Sequence, residues 1–350
     1  MAPLMRHPTR KTIKRSTMNR DDVKRCLKEY VASMSLEEFS KLFINEVTAI
    51  EDFFKLCNNK KAGNTISLLF NPHRLDIITE ASVTRTSAPM SIFQSLKDTG
   101  NELYTEKIDG MARLYLYNLE QGVNNPFYCT IQRGFNGVAY VNEFPPFVAR
   151  QIYQRYTNSS SRSILDPCAG WGGRMIGAAS LPNTRYVACE PSVRTYNGLL
   201  KLGKWLQSLQ PTFEFEIHNI PYEEFVTDEK FDIALTSPPY FNTEHYSDDD
   251  TDSAHKFPEY ELWEKGFYKP LIVDTVNRLK DGCVFVLNIG DRKYPLTKSM
   301  MSICSECGLH YDRAYDYLSG SGEDKEKFFC VSAGVANEYA PTSTVVEDLW

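Results

Sequence analysis

The sequence lacks any apolar run near the roughly eighteen residues that a membrane-spanning helix needs, so no helical span is expected. It also lacks an apolar core in its basic N-terminus, which argues against a secretory signal. The chain is expected in the cytoplasm or, in a eukaryotic host, the nucleus, and not outside the cell. A disulfide framework is missing too. The nine cysteines are odd in number, spread from Cys26 to Cys330, and read as reduced thiols. Excess positive charge is absent: the formal net charge of −6 excludes a surface coated in nucleic-acid-binding cations. No internal repeat or low-complexity tract is evident. What the chain does have is 350 residues with 42% hydrophobic content, enough to bury a full core, so a disordered protein is excluded.

The charge is polarised along the chain. Arg6, Arg10, Lys11, Lys14, Arg15, Arg20, Lys24, Arg25 and Lys28 outweigh Asp21, Asp22 and Glu29 near the N-terminus, leaving the remainder acidic. Residues 1–20 read as a basic arm that either touches phosphates or is simply solvated. Residues 21–140 read as a mainly helical accessory region. Within it, helical spacing covers 21–34 and 35–56, the second opened by a capping box at Ser35-Leu36-Glu37-Glu38 and striped by Phe39, Leu42, Phe43, Val47, Ile50 and Phe54. From 58 to 132 the pattern is mixed, with turn clusters and no clear period.

Near residue 144 the rhythm becomes regular, with short apolar runs alternating with helical stretches over 141–335 and a tail at 336–350. This predicts an α/β domain with a Rossmann-like, mainly parallel sheet and an antiparallel closing strand. A helix opened by Pro145-Pro146 precedes strand 163–166, and further strands are expected at 186–189, 213–217, 231–235, 284–288, 311–318 and 327–332. Ligands of such sheets lie beyond the carboxyl ends of the strands. The first strand ends in Asp166-Pro167-Cys168-Ala169-Gly170-Trp171-Gly172-Gly173, where the glycines allow a sharp turn and close approach to a ligand. Glu190, twenty residues past Gly170, ends the second strand, a spacing that suits a carboxylate accepting ribose hydroxyls of an adenosine moiety. Dinucleotide enzymes share that logic, and a structural turn would look alike.

The fourth strand ends in Thr236-Ser237-Pro238-Pro239-Tyr240. An exocyclic amine of cytosine or adenine is a poor nucleophile because its lone pair is delocalised into the ring. A serine hydroxyl and the carbonyl of Pro238 can accept the two amine hydrogens and aim the nitrogen at an electrophile. The double proline stiffens the backbone, and Tyr240 supplies an aromatic face for a flipped-out base.

On these two motifs, in this order, residues 142–335 resemble the S-adenosylmethionine-dependent amino-methyltransferases that modify DNA at cytosine N4 or adenine N6. The resemblance implies a methyltransferase acting on a nucleic acid, DNA foremost, with S-adenosyl-L-methionine as cofactor and no metal. It assigns catalysis to Ser237, Pro238, Pro239 and Tyr240. It assigns the cofactor to Asp166, Cys168, Ala169, Gly170, Gly172 and Glu190, to Phe144 and Pro146 in the segment before the first strand, and to Asn219 after the third. Serine at the head of the catalytic motif is similar to the cytosine-N4 members, whereas adenine-N6 members more often carry aspartate. The stretch between Gly173 and Thr236 leaves no room for a target-recognition insertion, so recognition is expected from the N-terminal region and the loop after Tyr240. An RNA base, a protein amide, and a binding protein that keeps only the fold are the alternatives; serine in place of asparagine counts against the amide.

Three features mimic other chemistries. Pro167-Cys168 mimics the nucleophile of cytosine-C5 methyltransferases but follows the wrong strand. Cys304 and Cys307 form a lone CxxC without a second ligand pair. The run from His245 to Asp252 resembles a metal loop, but methyl transfer from a sulfonium needs no metal, and the run reads as a mobile acidic loop beside the site.

Overall fold

The computed structural model describes residues 19–33, 35, 37, 38, 41, 44–76, 78, 79, 102–123, 130, 143–157, 160–246, 249–291, 293–316 and 327–333. Most of the basic arm and the C-terminal tail lie outside these. Contacts divide the chain into two units, Met1–Ser35 with Pro89–Val138, and Leu36–Ala88 with Ala139–Trp350. Residues 36–88 therefore group with the α/β region rather than with the rest of the N-terminal region.

The N-terminal region holds helices α1 (Arg20–Ser33), α2 (Glu46–Cys57) and α3 (Glu102–Glu120). In the first unit α1 buries Val23 and Leu27, and α3 buries Met111 and Ala112. Arg20 and Lys24 of α1 both pair with Asp109 of α3. The expected helix over 35–56 is corrected by α2. It starts at Glu46, because Asn45 and Thr48 form a capping box there, and is separate from the helical residues Glu37 and Glu38. The expected apolar stripe shifts with it: Ala49, Phe53 and Leu56 are buried, while Val47 and Phe54 are exposed. Phe39, Leu42 and Phe43 lie outside the described residues.

The second unit is built on seven strands: β1 (Arg162–Asp166), β2 (Thr184–Cys189), β3 (Phe213–His218), β4 (Phe231–Thr236), β5 (Leu279–Ile289), β6 (Leu309–Asp316) and β7 (Lys327–Ala333). Their order across the sheet is β3-β2-β1-β4-β5-β7-β6. The first five are parallel, and β7 runs antiparallel to both β5 and β6. The Rossmann-like, mainly parallel sheet read from the sequence is thus present, with its antiparallel closing strand. Parallel strands covered on both faces need near-continuous apolar runs, and β1, β2 and β4 are buried almost throughout.

Helix α4 (Pro146–Tyr156) leads into β1, and α5 (Gly173–Ala179), α6 (Val193–Leu209), α7 (Lys269–Asn277) and α8 (Leu296–Cys307) lie between strands, with two single-turn helices, Ser253–Lys256 and Tyr260–Trp263, ahead of α7. Proline at the first turn of α4 costs no hydrogen bond there and fixes the entry angle. Helix α6 buries Leu199, Leu202 and Leu206, one stripe at helical spacing. Helix α7 is entered through Tyr260–Trp263 and a π turn at Glu264–Tyr268. That turn brings Trp263, Phe267 and Tyr268 into the core beneath the end of β4. Strand order reverses between β1 and β4, which places the crevice of the sheet at the ends of those two strands.

Candidate active site

At the end of β1 the Asp166 side chain is fully buried. Its Oδ2 accepts from Arg174 Nε at 2.7 Å and from Tyr186 Oη at 2.5 Å, and its Oδ1 accepts from Thr236 Oγ1 at 2.9 Å. Arg174 also donates to the Cys168 carbonyl. The Asp166 carboxylate is therefore spent on the fold, and its part in any ligand site is to position the loop that follows. Thr236 matters for the same reason: its Oγ1 accepts from the Cys168 amide at 3.1 Å while donating to Asp166. The first residue of the Thr236-to-Tyr240 motif thus stitches the loop after β4 to the loop after β1.

The glycines divide into two kinds. Gly170 has φ +55°, and a Cβ there would meet only the Arg174 Nη2 at 3.9 Å, so its face is open. Gly172, at φ +102°, has no such room: a Cβ would sit 2.4 Å from Leu202 Cδ2. Gly173 backs onto the Phe144 carbonyl in the same way. Only Gly170 offers its backbone to a ligand; the other two admit neighbouring protein. Ala169 is buried, and its amide donates to the Cys189 carbonyl at 2.9 Å, fixing the loop on β2.

Glu190, 8% exposed at the end of β2, accepts from the Ser192 amide at 3.0 Å. Burial pushes its carboxyl up to about 8, only partly offset by the Ser192 and Gly170 amides. Asn219 donates to the carbonyls of Glu190 and Pro191, both at 2.9 Å, so its amide holds the Glu190 turn from β3. Phe144 lies under the Arg174 guanidinium at 5.2 Å and meets Phe328 edge-on at 5.9 Å. Pro146 is buried, its carbonyl facing Gly177 of α5. Burial, with Asp166 nearby, holds the Cys168 thiol well above the ordinary range, which keeps it protonated and unsuited to nucleophilic attack.

In the loop after β4, Ser237 and Pro239 are half-buried and Pro238 is buried. Tyr240 is 8% exposed and packed into the main core. Its carbonyl accepts from the Thr243 hydroxyl at 2.7 Å. Phe241 follows in the left-handed region at φ +54°, a conformation that costs a non-glycine residue about 1–2 kcal/mol. Packing against Tyr260, Trp263 and Tyr294, with ring centroids 5.0–5.7 Å away, holds it there. The chain is thereby forced to turn directly after the Ser237-to-Tyr240 segment.

No protein-family model and no curated protein matches the chain. Among solved structures it is similar to a precorrin-6y C5,15-methyltransferase from Geobacter metallireducens GS-15, at 15% identity and a TM-score of 0.37, covering 53% of this chain and 87% of that one. It is similar to the glycopeptide N-methyltransferase MtfA complexed with S-adenosyl-L-methionine, at 12% identity and 0.39, covering 55% and 89%. A methyltransferase from Pyrococcus furiosus aligns at 14% identity and 0.39, covering 62% and 99%. The fold stands on the strand order and strand directions of the sheet itself.

One group of residues carries no signal that periodicity could expose. Residues 66–76 form two short 3-10 turns, Ile66–Leu69 and Pro72–Asp76, that bracket the loop after β1. Asn71 Nδ2 donates to the Trp171 carbonyl at 3.1 Å, and the Arg74 guanidinium stands 6.0 Å from the Trp171 ring. Arg74 and Ser67 both bond the buried Glu143 carboxylate. His73 bonds Thr195 Oγ1 at 2.9 Å, and burial pulls its imidazole down to about 4, so it stays neutral. The only local hint was a run of polar residues, Asn71-Pro72-His73-Arg74, inside an apolar stretch.

Cys304 is buried with its Sγ 3.7 Å from Met300 Sδ, and Cys307 is exposed at the end of α8. Among the described residues no group of three or more His, Cys, Asp or Glu is placed to hold a metal ion. Ser247 and Asp248 of the acidic run lie outside them; Asp252 caps the turn Ser253–Lys256 through the Ala254 amide. No described helix is long and apolar enough to cross a membrane.

Proposed function

We propose that the protein is an S-adenosylmethionine-dependent methyltransferase that methylates an exocyclic amine of a nucleobase in DNA, cytosine N4 ahead of adenine N6. The observation that carries this reading is the Thr236 bridge, which sets the Ser237-to-Tyr240 loop against the Gly170 loop. A donor held at one is thus adjacent to an acceptor held at the other. The residues fit the cofactor: Gly170 leaves an open backbone face where a Cβ would intrude, and Glu190 presents a carboxylate at the next strand end. Glu190 would accept the ribose hydroxyls, Asn219 would keep that turn in place, and the open face of Gly170 would lie along the methionine side. When bound, the cofactor supplies an electrophilic methyl group on a sulfonium.

The chain's own contribution is orientation. Ser237 Oγ and the Pro238 carbonyl accept the two amine hydrogens, so the nitrogen lone pair turns out of conjugation and toward the methyl. Pro238 and Pro239 fix those acceptors, and the strained turn at Phe241 prevents the loop from relaxing away. Because both acceptors are preorganised, little reorganisation is needed as charge develops on nitrogen.

Labelled methyl transfer onto DNA, RNA and protein separately, followed by mass analysis of nucleosides, tests the acceptor. N4-methylcytosine in DNA is the expected product. Label in RNA or protein alone overturns the DNA reading. Ser237→Ala is expected to lower turnover by about a hundredfold while cofactor affinity measured by calorimetry stays near that of the wild type. Unchanged turnover removes Ser237 from the mechanism.

A further inference from the structure

Tyr240 belongs to the core and exposes little of its ring, so one face of a planar acceptor would be left without an aromatic partner. Two other rings stand at the same end of the sheet. Trp171 lies in a loop otherwise made of proline, cysteine, alanine and glycine, and it is half-buried. Tyr246, also half-buried, sits on the segment after the Ser237-to-Tyr240 motif. Their ring centroids are 6.0 Å apart and their planes are inclined by 51°.

Both rings are held from outside the loops that carry them. Asn71 bonds the Trp171 carbonyl, and Arg74 approaches the indole. Immediately before Tyr246, Glu244–His245 pairs antiparallel with Ile78–Thr79, with Ile78 opposite His245 and Thr79 opposite Glu244. The chain just after the bracket at 66–76 therefore secures the second ring as the bracket secures the first. A loop needing only to turn between glycines has no use for an indole. A tilted, partly exposed pair anchored on both sides is suited to receive a flat ligand, since base–aromatic stacking is worth about 1–3 kcal/mol per base.

We propose that Trp171 and Tyr246 form the outer wall of the acceptor pocket and stack on the nucleobase presented to Ser237. The assignment rests on the nucleobase reading above and gives the indole a role in acceptor binding, distinct from the Gly170 backbone beside it. The Arg74 guanidinium packs toward the indole while Asn71 fixes its peptide, so the ring does not depend on bound cofactor for its position.

The test uses the full chain saturated with S-adenosylhomocysteine and titrated with a short single-stranded DNA. Emission is read in a Trp350→Phe background, which leaves three tryptophans; Trp205 packs between Phe53 and Phe70, and Trp263 is fully buried, so neither faces the pocket. Quenching of tryptophan emission on DNA binding is therefore expected in that background and lost when Trp171→Phe is added, a change that keeps DNA affinity within about threefold. Trp171→Leu and Tyr246→Leu are each expected to weaken DNA binding at least about tenfold, with S-adenosylhomocysteine affinity within about twofold. Should Trp171→Leu fail to fold, Tyr246→Leu decides. Leucine variants that bind DNA like the wild type overturn the proposal. So does a loss of S-adenosylhomocysteine affinity with DNA affinity unchanged, which would assign the indole to the cofactor. A wild type that binds and methylates no nucleic acid overturns the underlying reading instead, and is seen before any variant is made.

Discussion

In the proposed site an ionised Glu190 would accept both ribose hydroxyls, yet its surroundings resist the charge. Burial raises its carboxyl to about 8, so at neutral pH the empty protein holds mostly the acid. Cofactor affinity is accordingly expected to rise between pH 7 and 9, and calorimetric titration across that range should show the rise in the wild type and not in Glu190→Gln. The same shift has a stability consequence of definite sign. A raised carboxyl binds its proton more tightly folded than unfolded, so no penalty exists well below pH 4.5, the penalty builds as pH climbs, and it is complete above about 8. Glu190→Gln should therefore melt higher than the wild type at pH 9 and close to it at pH 4. A melting difference that does not change with pH would contradict this. Asp166 matters through its partners. Its carboxylate is paired with Arg174 and bonded by Tyr186 and Thr236, so Asp166→Asn leaves a buried guanidinium uncompensated. The expected loss is about 3–5 kcal/mol in chemical denaturation, with cofactor binding falling as a consequence of the loop's release.

The loop after β1 permits a sharper test of what its glycines do. Gly170→Ala places a methyl in open space, costing stability only through its left-handed backbone, about 1 kcal/mol, while intruding where a ligand would lie. Gly172→Ala places one against Leu202 on α6, in a backbone conformation that alanine rarely adopts. The first variant is expected to keep its melting temperature nearly unchanged and lose cofactor affinity. The second is expected to lose several degrees of melting temperature, from overpacking of about 1–3 kcal/mol added to strain. The sequence alone cannot separate these two glycines, because a tight turn toward a ligand and a close pass of a helix demand the same residue. Elsewhere the elements were legible where one periodicity ruled. The apolar runs of β1, β2 and β4 stand within a few residues of their expected bounds. Boundaries slipped where long-range pairing outweighed local signals. Lys280-Asp281-Gly282 reads as a turn, yet β5 begins at Leu279 because Leu279 pairs with Phe231. The bracket at 66–76 was not legible at all, since Asn71, His73 and Arg74 find their partners at Trp171, Thr195 and Glu143, far along the chain.

Across the whole molecule, the proposed function requires an acidic protein to hold a polyanion. With a net charge of −6, long-range attraction to phosphate cannot come from the average surface. On α1, Arg20 and Lys24 are both engaged by Asp109, and Arg25 by Asp22, so much of that helix's positive charge is already balanced. The surplus lies earlier, in Arg6, Arg10, Lys11, Lys14 and Arg15, with no acidic residue among residues 1–18. Each cation that neutralises a phosphate contributes a slope of about −0.9 in the logarithm of affinity against the logarithm of salt for duplex DNA. Removing residues 1–18 is therefore expected to flatten the salt dependence of DNA binding by about two to four units of slope. It should leave the Ser237-dependent rate at saturating DNA within about threefold, because the Thr236 bridge is made by bonds to Cys168 and Asp166. A truncated chain with the full salt dependence would move the phosphate contacts onto the two-unit body. A truncated chain whose saturated rate collapses would instead give the arm a part in presenting the base, and the charge polarity of the sequence would then belong to catalysis rather than to capture.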